Sequence, residues 1–161
     1  MGRVLGEKEL IGERARAAAR GLRFVFTNGC FDLLHAGHLD VLRAAKGAGD
    51  LLAIGLNADD SVRRLKGEGR PLVGEGERAE LLAALEMVDF VVLFHEDTPA
   101  RLIEALAPDV LVKGGDYAPG EIVGSDFVRA RGGTVLVVPL RPGASTRGLI
   151  DEIVERYGRG G

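Results

Sequence analysis

The residues best suited to chemistry lie in one short segment, residues 27–38, which reads T-N-G-C-F-D-L-L-H-A-G-H. It runs from a predicted strand into a predicted helix, where free backbone N–H groups and the helix dipole attract anions. Gly29 and Gly37 have no side chains, so the backbone beside them can approach a ligand closely. His35 and His38 are close enough in sequence to face one phosphate and donate hydrogen bonds to oxygens that gain charge. The segment therefore predicts a phosphate site.

Three other interpretations of this segment compete with a phosphate site. An H-x-x-H pair can bind zinc, but the remaining soft ligands, Cys30 and His95, do not have the spacing of a zinc site. A helix cap with structural histidines is common, and the residues alone leave it open. A dinucleotide-binding fingerprint is excluded, because G-x-G-x-x-G does not occur in the chain.

The chain segments that must position these residues are short apolar runs, which alternate along the sequence with amphipathic segments. The alternation predicts parallel strands joined by right-handed crossovers, and the continuous apolar runs indicate that both faces of the sheet are covered. We predict a single α/β domain, doubly wound and Rossmann-like, with a five-stranded parallel sheet. The predicted strands are residues 23–27, 51–56, 90–94, 110–113 and 134–140. The predicted helices are residues 7–20, 38–46, 58–65, 77–87, 99–106, 120–131 and 145–157.

Length and composition fit one globular domain and exclude several other classes. The chain has 161 residues, a net charge of −3 and one cysteine, so no internal disulfide can form and no basic field attracts nucleic acid. No stretch approaches the roughly 20 apolar residues that a membrane span requires. We expect a cytoplasmic protein with neither nucleic-acid nor membrane partners.

The stretch G-C-F-D-L-L-H-A-G-H resembles the signature of the cytidylyltransferase-like nucleotidyltransferases, whose H-x-G-H motif follows the first strand. R-L-K-G-E-G-R-P, E-D-T-P and L-V-K-G-G-D-Y are most similar to the same segments of the bacterial heptose 1-phosphate adenylyltransferases. In many of those proteins the domain is fused behind a sugar kinase, and here we expect a stand-alone version. Together with the residue pattern, the resemblance divides the chain into a predicted N-terminal helical extension at 1–22, a nucleotidyltransferase domain at 23–157 and a flexible tail at 158–161.

The same resemblance assigns roles to the matching residues. The histidines would contact the triphosphate and stabilise the reacting α-phosphate, while a basic loop and a late R-x-x-x-S-T motif would hold the other phosphates. The predicted catalytic residues are His35, His38, Lys66 and Arg141. The predicted nucleotide-binding residues are Thr27, Asn28, Gly29, Cys30, Phe31, Gly37, Gly114, Gly115, Asp116, Ser145 and Thr146. Asn57 and Arg78 are predicted to bind the acceptor substrate.

The implied reaction transfers AMP from ATP to a sugar 1-phosphate, here heptose 1-phosphate, to give ADP-heptose and pyrophosphate. Mg²⁺ is the expected cofactor and would travel with ATP, held by phosphate oxygens and water rather than by protein ligands. Related enzymes often form dimers, so the resemblance is compatible with a homodimer. Two alternatives stay open: a cytidylyltransferase for glycerol 3-phosphate or a similar alcohol phosphate, and a non-catalytic nucleotide-binding module.

Overall fold

The computed structural model describes residues 1–118 and 120–158, which form one α/β domain around a parallel sheet. The strands are β1 (Arg3–Val4), β2 (Phe24–Gly29), β3 (Leu51–Asn57), β4 (Phe90–Phe94), β5 (Val110–Gly114) and β6 (Thr134–Val138). The helices are α1 (Glu7–Ala19), α2 (Ala36–Gly47), α3 (Asp59–Lys66), α4 (Glu75–Ala83), α5 (Ala100–Leu106), α6 (Ser125–Ala130) and α7 (Thr146–Tyr157). The predicted fold class and the parallel sheet are confirmed.

The predicted number of strands is wrong, because the sheet has six strands rather than five. The additional strand, β1, pairs with the edge of β4, where the N–H of Arg3 donates to the carbonyl of Asp89 and that of Leu5 to Val91, both at 2.9 Å. A strand of two exposed residues has neither alternation nor an apolar run, so a sequence pattern cannot reveal it. The predicted division at residue 22 stays a prediction.

Several predicted elements are shorter in the structure, and the helix predicted at 77–87 instead runs from Glu75 to Ala83. The helix predicted at 120–131 begins only at Ser125, because Gly120 and Gly124 adopt left-handed backbone angles with φ of +90° and +82°. The strand predicted at 134–140 ends at Val138, just before a proline. The predicted flexible tail, beyond Gly158, lies outside the described residues.

The two faces of the sheet are covered by separate apolar clusters. Val25 and Val112 face the first cluster, which α2 and α4 cover, while Phe26 and Leu111 face the second, which α1 and α5 cover. The strand order β1-β4-β3-β2-β5-β6 reverses between β2 and β5. Ligands of such sheets bind beyond the carboxyl ends of the strands at this reversal, so the fold places a site where β2 and β5 end. No helix among the described residues is long and apolar enough to span a bilayer.

Candidate functional site

A cavity of about 980 Å³ lies at the carboxyl ends of β2, β3 and β5. This volume is at the upper end of the range for small-molecule sites, so it can hold a nucleotide together with a second small substrate. Eight of the predicted site residues line it: Asn28, Gly29, Cys30, Phe31, His38, Asn57, Lys66 and Thr146. The predicted site residues outside this lining are Thr27, His35, Gly37, Arg78, Gly114, Gly115, Asp116, Arg141 and Ser145.

His38 lies in the first turn of α2 with its ring at the cavity wall. Its Nδ1 accepts a long hydrogen bond, 3.4 Å, from the backbone N–H of His35. A nitrogen that accepts a hydrogen bond carries no proton, so the neutral ring carries its proton on Nε2. Burial, with a smaller effect from His35, lowers the pKa of His38 to about 4. At neutral pH the residue is therefore an uncharged imidazole whose Nε2–H, with no hydrogen-bond partner in the described part of the chain, can donate to a ligand.

His35 lies behind His38 rather than at the cavity surface. The two rings stack with their centroids 3.8 Å apart, so their nitrogens do not converge on a point as zinc ligands would. The Nδ1 atom of His35 is buried and has no hydrogen-bond partner among the described residues. A Cβ at Gly37 would approach this ring to 3.1 Å and the Ala144 side chain to 3.3 Å, so the absence of a side chain at Gly37 lets the start of α2 pack against the segment before α7.

Asp32, which the sequence prediction did not include, anchors the loop between α3 and α4. Its buried carboxylate accepts hydrogen bonds from the N–H groups of Leu72 and Val73 and from the Nε of Arg70. Burial alone would raise the pKa of Asp32, but these donors together hold the pKa below its usual value. The carboxylate is therefore ionised and fixes the loop that follows Lys66. The aspartate of the G-C-F-D motif was the sequence signal for this role, but the residues whose hydrogen bonds it accepts lie about 40 positions further along the chain.

Arg78 is buried, with 1% of the residue exposed, and it joins four segments at the edge of the cavity. Nη1 donates to the carbonyls of Cys30 and Asn57 at 2.6 and 2.9 Å, and Nε donates to that of Val73 at 2.8 Å. Nη2 donates to Asp59 at 2.7 Å. The guanidinium thus positions the ends of β2 and β3, and its predicted contact with the substrate stays a prediction.

Two lysines project into the cavity from different elements. Lys66 is the last residue of α3 and is exposed, while Lys113 is near the end of β5 and is half-buried. Sequence reasoning included Lys66 and missed Lys113, because a lone lysine at the end of an apolar strand indicates only where the strand reaches the surface. Both lysines line the cavity together with Cys30, whose thiol pKa is raised by burial despite these positive charges. Cys30 is therefore a protonated thiol at neutral pH and a poor nucleophile.

The segment before α7 is anchored to α2. Arg141 forms a bidentate ion pair with Asp40, with nitrogen–oxygen distances of 2.6 and 2.7 Å, and is not among the residues that line the cavity. Ser145 caps α7 by accepting from the N–H of Gly148, and the hydroxyl of Thr146 donates to the carbonyl of Leu33 at 3.3 Å. The arginine that does line the cavity here is Arg147, which sequence reasoning missed although it directly follows the S-T pair.

The predicted base-binding residues border a second, open depression of about 430 Å³ beside the main cavity. Gly115 and Asp116 line it, and Tyr117 lines both spaces. Gly114 faces α2, since a Cβ there would meet Val41 at 2.5 Å. Because Tyr117 lines both spaces, the depression lies directly beside the main cavity.

The profile of the cytidylyltransferase-like family matches residues 26–155. Two similar curated relatives are Bifunctional protein HldE of Geobacter metallireducens, 60% identical over 140 residues, and that of Pelobacter propionicus, 59% identical over 139 residues. The matches cover 87% and 86% of the chain but only 29% and 28% of the relatives. The chain thus spans less than a third of the length of these proteins.

Two solved structures have a similar fold. The lipopolysaccharide core biosynthesis protein from Thermoplasma volcanium is 30% identical, with a TM-score of 0.61 over 75% of this chain and 98% of its own. The pantoate-beta-alanine ligase from Francisella tularensis has a TM-score of 0.68 over 97% of this chain and 77% of its own. Its identity is 13%, so this second similarity shows the fold alone.

Proposed function

The chain belongs to the cytidylyltransferase-like family, and we propose that it transfers AMP from ATP to heptose 1-phosphate, releasing pyrophosphate. Three findings support the choice of substrates. The segments R-L-K-G-E-G-R-P and L-V-K-G-G-D-Y resemble those of heptose 1-phosphate adenylyltransferases. The HldE proteins are about 60% identical, and the 30% identical solved structure is that of a lipopolysaccharide core biosynthesis protein. The predicted glycerol 3-phosphate alternative is not favoured by these relatives.

The observation that carries the proposal is the position of His38 in a cavity that two lysines share. Its Nε2–H and the first N–H groups of α2 are donors for oxygens of the α-phosphate, where charge develops as the leaving group departs. The bond that forms joins an oxygen of the acceptor phosphate to the α-phosphorus, and the bond that breaks links this phosphorus to pyrophosphate. The acceptor phosphate is already ionised at neutral pH, so the reaction needs no general base and no enzyme nucleophile.

Mg²⁺ in this proposal travels with ATP and shields charge on the phosphate oxygens. The carboxylate of Asp32, within the 27–38 segment, already accepts hydrogen bonds from Arg70 and two backbone N–H groups, which favours coordination of the metal by phosphate and water. Ser145 and Thr146 lie at the N-terminus of α7, where backbone N–H groups suit the β- and γ-phosphates. Arg141 would have to break its ion pair with Asp40 to reach these phosphates. A homodimer, a cytoplasmic location and the absence of nucleic-acid and membrane partners stay predictions.

Nucleotide choice tests the proposal. With heptose 1-phosphate as acceptor, we expect kcat/KM to be highest for ATP among ATP, CTP and GTP. We also expect Gly115→Val to lower the ATP value and reduce the discrimination. The reason is that Gly115 has φ of +139° and an added Cβ would lie 2.7 Å from the Tyr117 ring, so the loop beside the depression must move.

The matched control is Gly12→Val, because Gly12 lies in α1 with open space around it. A wild-type preference for CTP or GTP would refute the adenylyl assignment. Unchanged values for all three nucleotides in Gly115→Val, with Gly12→Val also unchanged, would show that this loop does not contact the base.

A further inference from the structure

Lys113 reaches the cavity from the face of the sheet opposite α2. Along β5, Val110 and Val112 face the first apolar cluster and Leu111 faces the second, so strand alternation directs Lys113 to the second face. Gly114 faces α2 in agreement with this alternation. The lysine therefore approaches the reaction space from one side of the sheet, while His38 approaches from the other.

The ammonium group of Lys113 is loosely held. Its closest acceptors are the backbone carbonyl of Asn28 at 3.3 Å and the Oδ1 of the same residue at 3.4 Å, both long for hydrogen bonds to an ammonium. Burial lowers the pKa of Lys113, and the positive charge of Lys66 lowers it further. A cation that burial and a like charge both disfavour is stabilised when an anion binds beside it.

Four cations lie near enough to the Cys30 thiol to affect its pKa, and two of them are paired with carboxylates. Arg70 pairs with Asp32 and Arg78 pairs with Asp59. In residues 1–118 and 120–158, neither Lys66 nor Lys113 forms an ion pair with a carboxylate. Two unneutralised ammonium groups at the wall of one cavity match the charge of a phosphate monoester dianion.

The position of these lysines separates them from the expected triphosphate site. His38 belongs to α2, which covers the first face of the sheet, whereas strand alternation along β5 directs Lys113 to the second face, and both side chains line the same cavity. Both substrates must bind together for direct transfer, and their phosphates repel each other unless each has its own cations. The lysine side of the cavity can supply those cations to the acceptor.

We infer that Lys113 binds the acceptor's phosphate, together with Lys66, and thereby determines that the acceptor is a phosphate monoester. The inference rests on the proposed function, because it names the site for the acceptor of that reaction. The inference also means that Lys66 contacts both substrates rather than the triphosphate alone. Lys113 thus holds the attacking phosphate against the α-phosphorus, while His38 binds oxygens of the α-phosphate from the opposite side.

The test replaces Lys113 with methionine, which keeps the length and apolar stem but removes the charge. We expect the KM for heptose 1-phosphate to rise roughly 10- to 100-fold, because a charge-assisted contact to phosphate is lost. The dissociation constant of α,β-methylene-ATP, measured by calorimetry, should change by less than about twofold. Lys113→Arg should recover most of the acceptor affinity, and the exposed Lys8→Met on α1 serves as the matched control.

An unchanged acceptor KM in folded Lys113→Met would overturn the inference, and so would an equal loss of affinity for the ATP analogue. A titration with inorganic phosphate in the presence of the analogue separates this inference from the proposed function. If the wild type makes no ADP-heptose but Lys113→Met loses phosphate binding, the anion site stands and the proposed acceptor is wrong. If ADP-heptose forms and neither phosphate binding nor KM changes, the function stands and the role of Lys113 is wrong.

Discussion

Replacing His38 with alanine is expected to lower kcat roughly 10²- to 10³-fold while leaving the fold intact. The ring lies at the cavity wall, its Nδ1 is occupied by the N–H of His35, and its Nε2–H is the group left for the α-phosphate. The backbone donors of α2 would remain, so some turnover should persist. The measurement is steady-state kcat at saturating ATP and acceptor, with circular dichroism to verify folding.

His95→Ala is the matched control, because the third histidine is exposed and its ring contacts the carboxylate of Asp60. Its kcat should equal that of the wild type. If His38→Ala keeps more than half of the wild-type kcat, the assignment of His38 to the reacting phosphate is wrong.

The protonation state of His38 can be measured in the ligand-free protein. The pKa is depressed, so the imidazole stays neutral as pH falls through the usual value of 6.5 and takes up a proton only near pH 4. An NMR titration of the ring should therefore show a midpoint near 4 for His38. A midpoint near the ordinary value would contradict the depressed pKa, because a substantial fraction of the rings would then be imidazolium at neutral pH.

Replacing Arg78 with methionine is expected to lower the free energy of unfolding by roughly 3–5 kcal/mol. The substitution leaves the carbonyls of Cys30, Asn57 and Val73 without their donor. Asp59 also loses its partner, but its side chain is 29% exposed and can be hydrated, which keeps the loss from being larger. Urea unfolding followed by circular dichroism measures the change.

Arg78→Lys should restore only part of the stability, because one ammonium cannot reproduce the planar fork that donates to four acceptors. Arg43→Met on the exposed side of α2 is the control and should change stability by less than about 0.5 kcal/mol. A loss below about 1 kcal/mol in Arg78→Met would contradict the role of Arg78 in joining these segments.

The strand pattern and the 27–38 segment allowed the fold class, the family and the enzyme class to be predicted, and the family profile and the HldE relatives confirm the last two. The local sequence pattern was sufficient for these predictions, because apolar runs and strand-to-helix junctions depend on residues that are neighbours in the sequence. The predicted roles of the individual site residues stay predictions. His38, Lys66 and Asn57 do share one cavity, whereas Arg141 faces Asp40.

Other features depend on contacts between distant segments, and no local pattern reveals them. Arg78 has the sequence context of an exposed helical arginine, yet it is buried because Cys30, Asn57 and Val73 converge on it. The Asp32–Arg70 pair joins residues 38 positions apart. A role for Lys113 in the site can be inferred only once the structure shows that β5 pairs with β2.

The most direct test of the central claim is to identify the products by ³¹P NMR and mass spectrometry. The protein is incubated with Mg²⁺, equal amounts of ATP and CTP, and either heptose 1-phosphate or glycerol 3-phosphate. The proposed function predicts ADP-heptose and pyrophosphate in equal amounts from the heptose reaction, and no product from glycerol 3-phosphate. Formation of CDP-glycerol, or binding of ATP without release of pyrophosphate in either mixture, would contradict it.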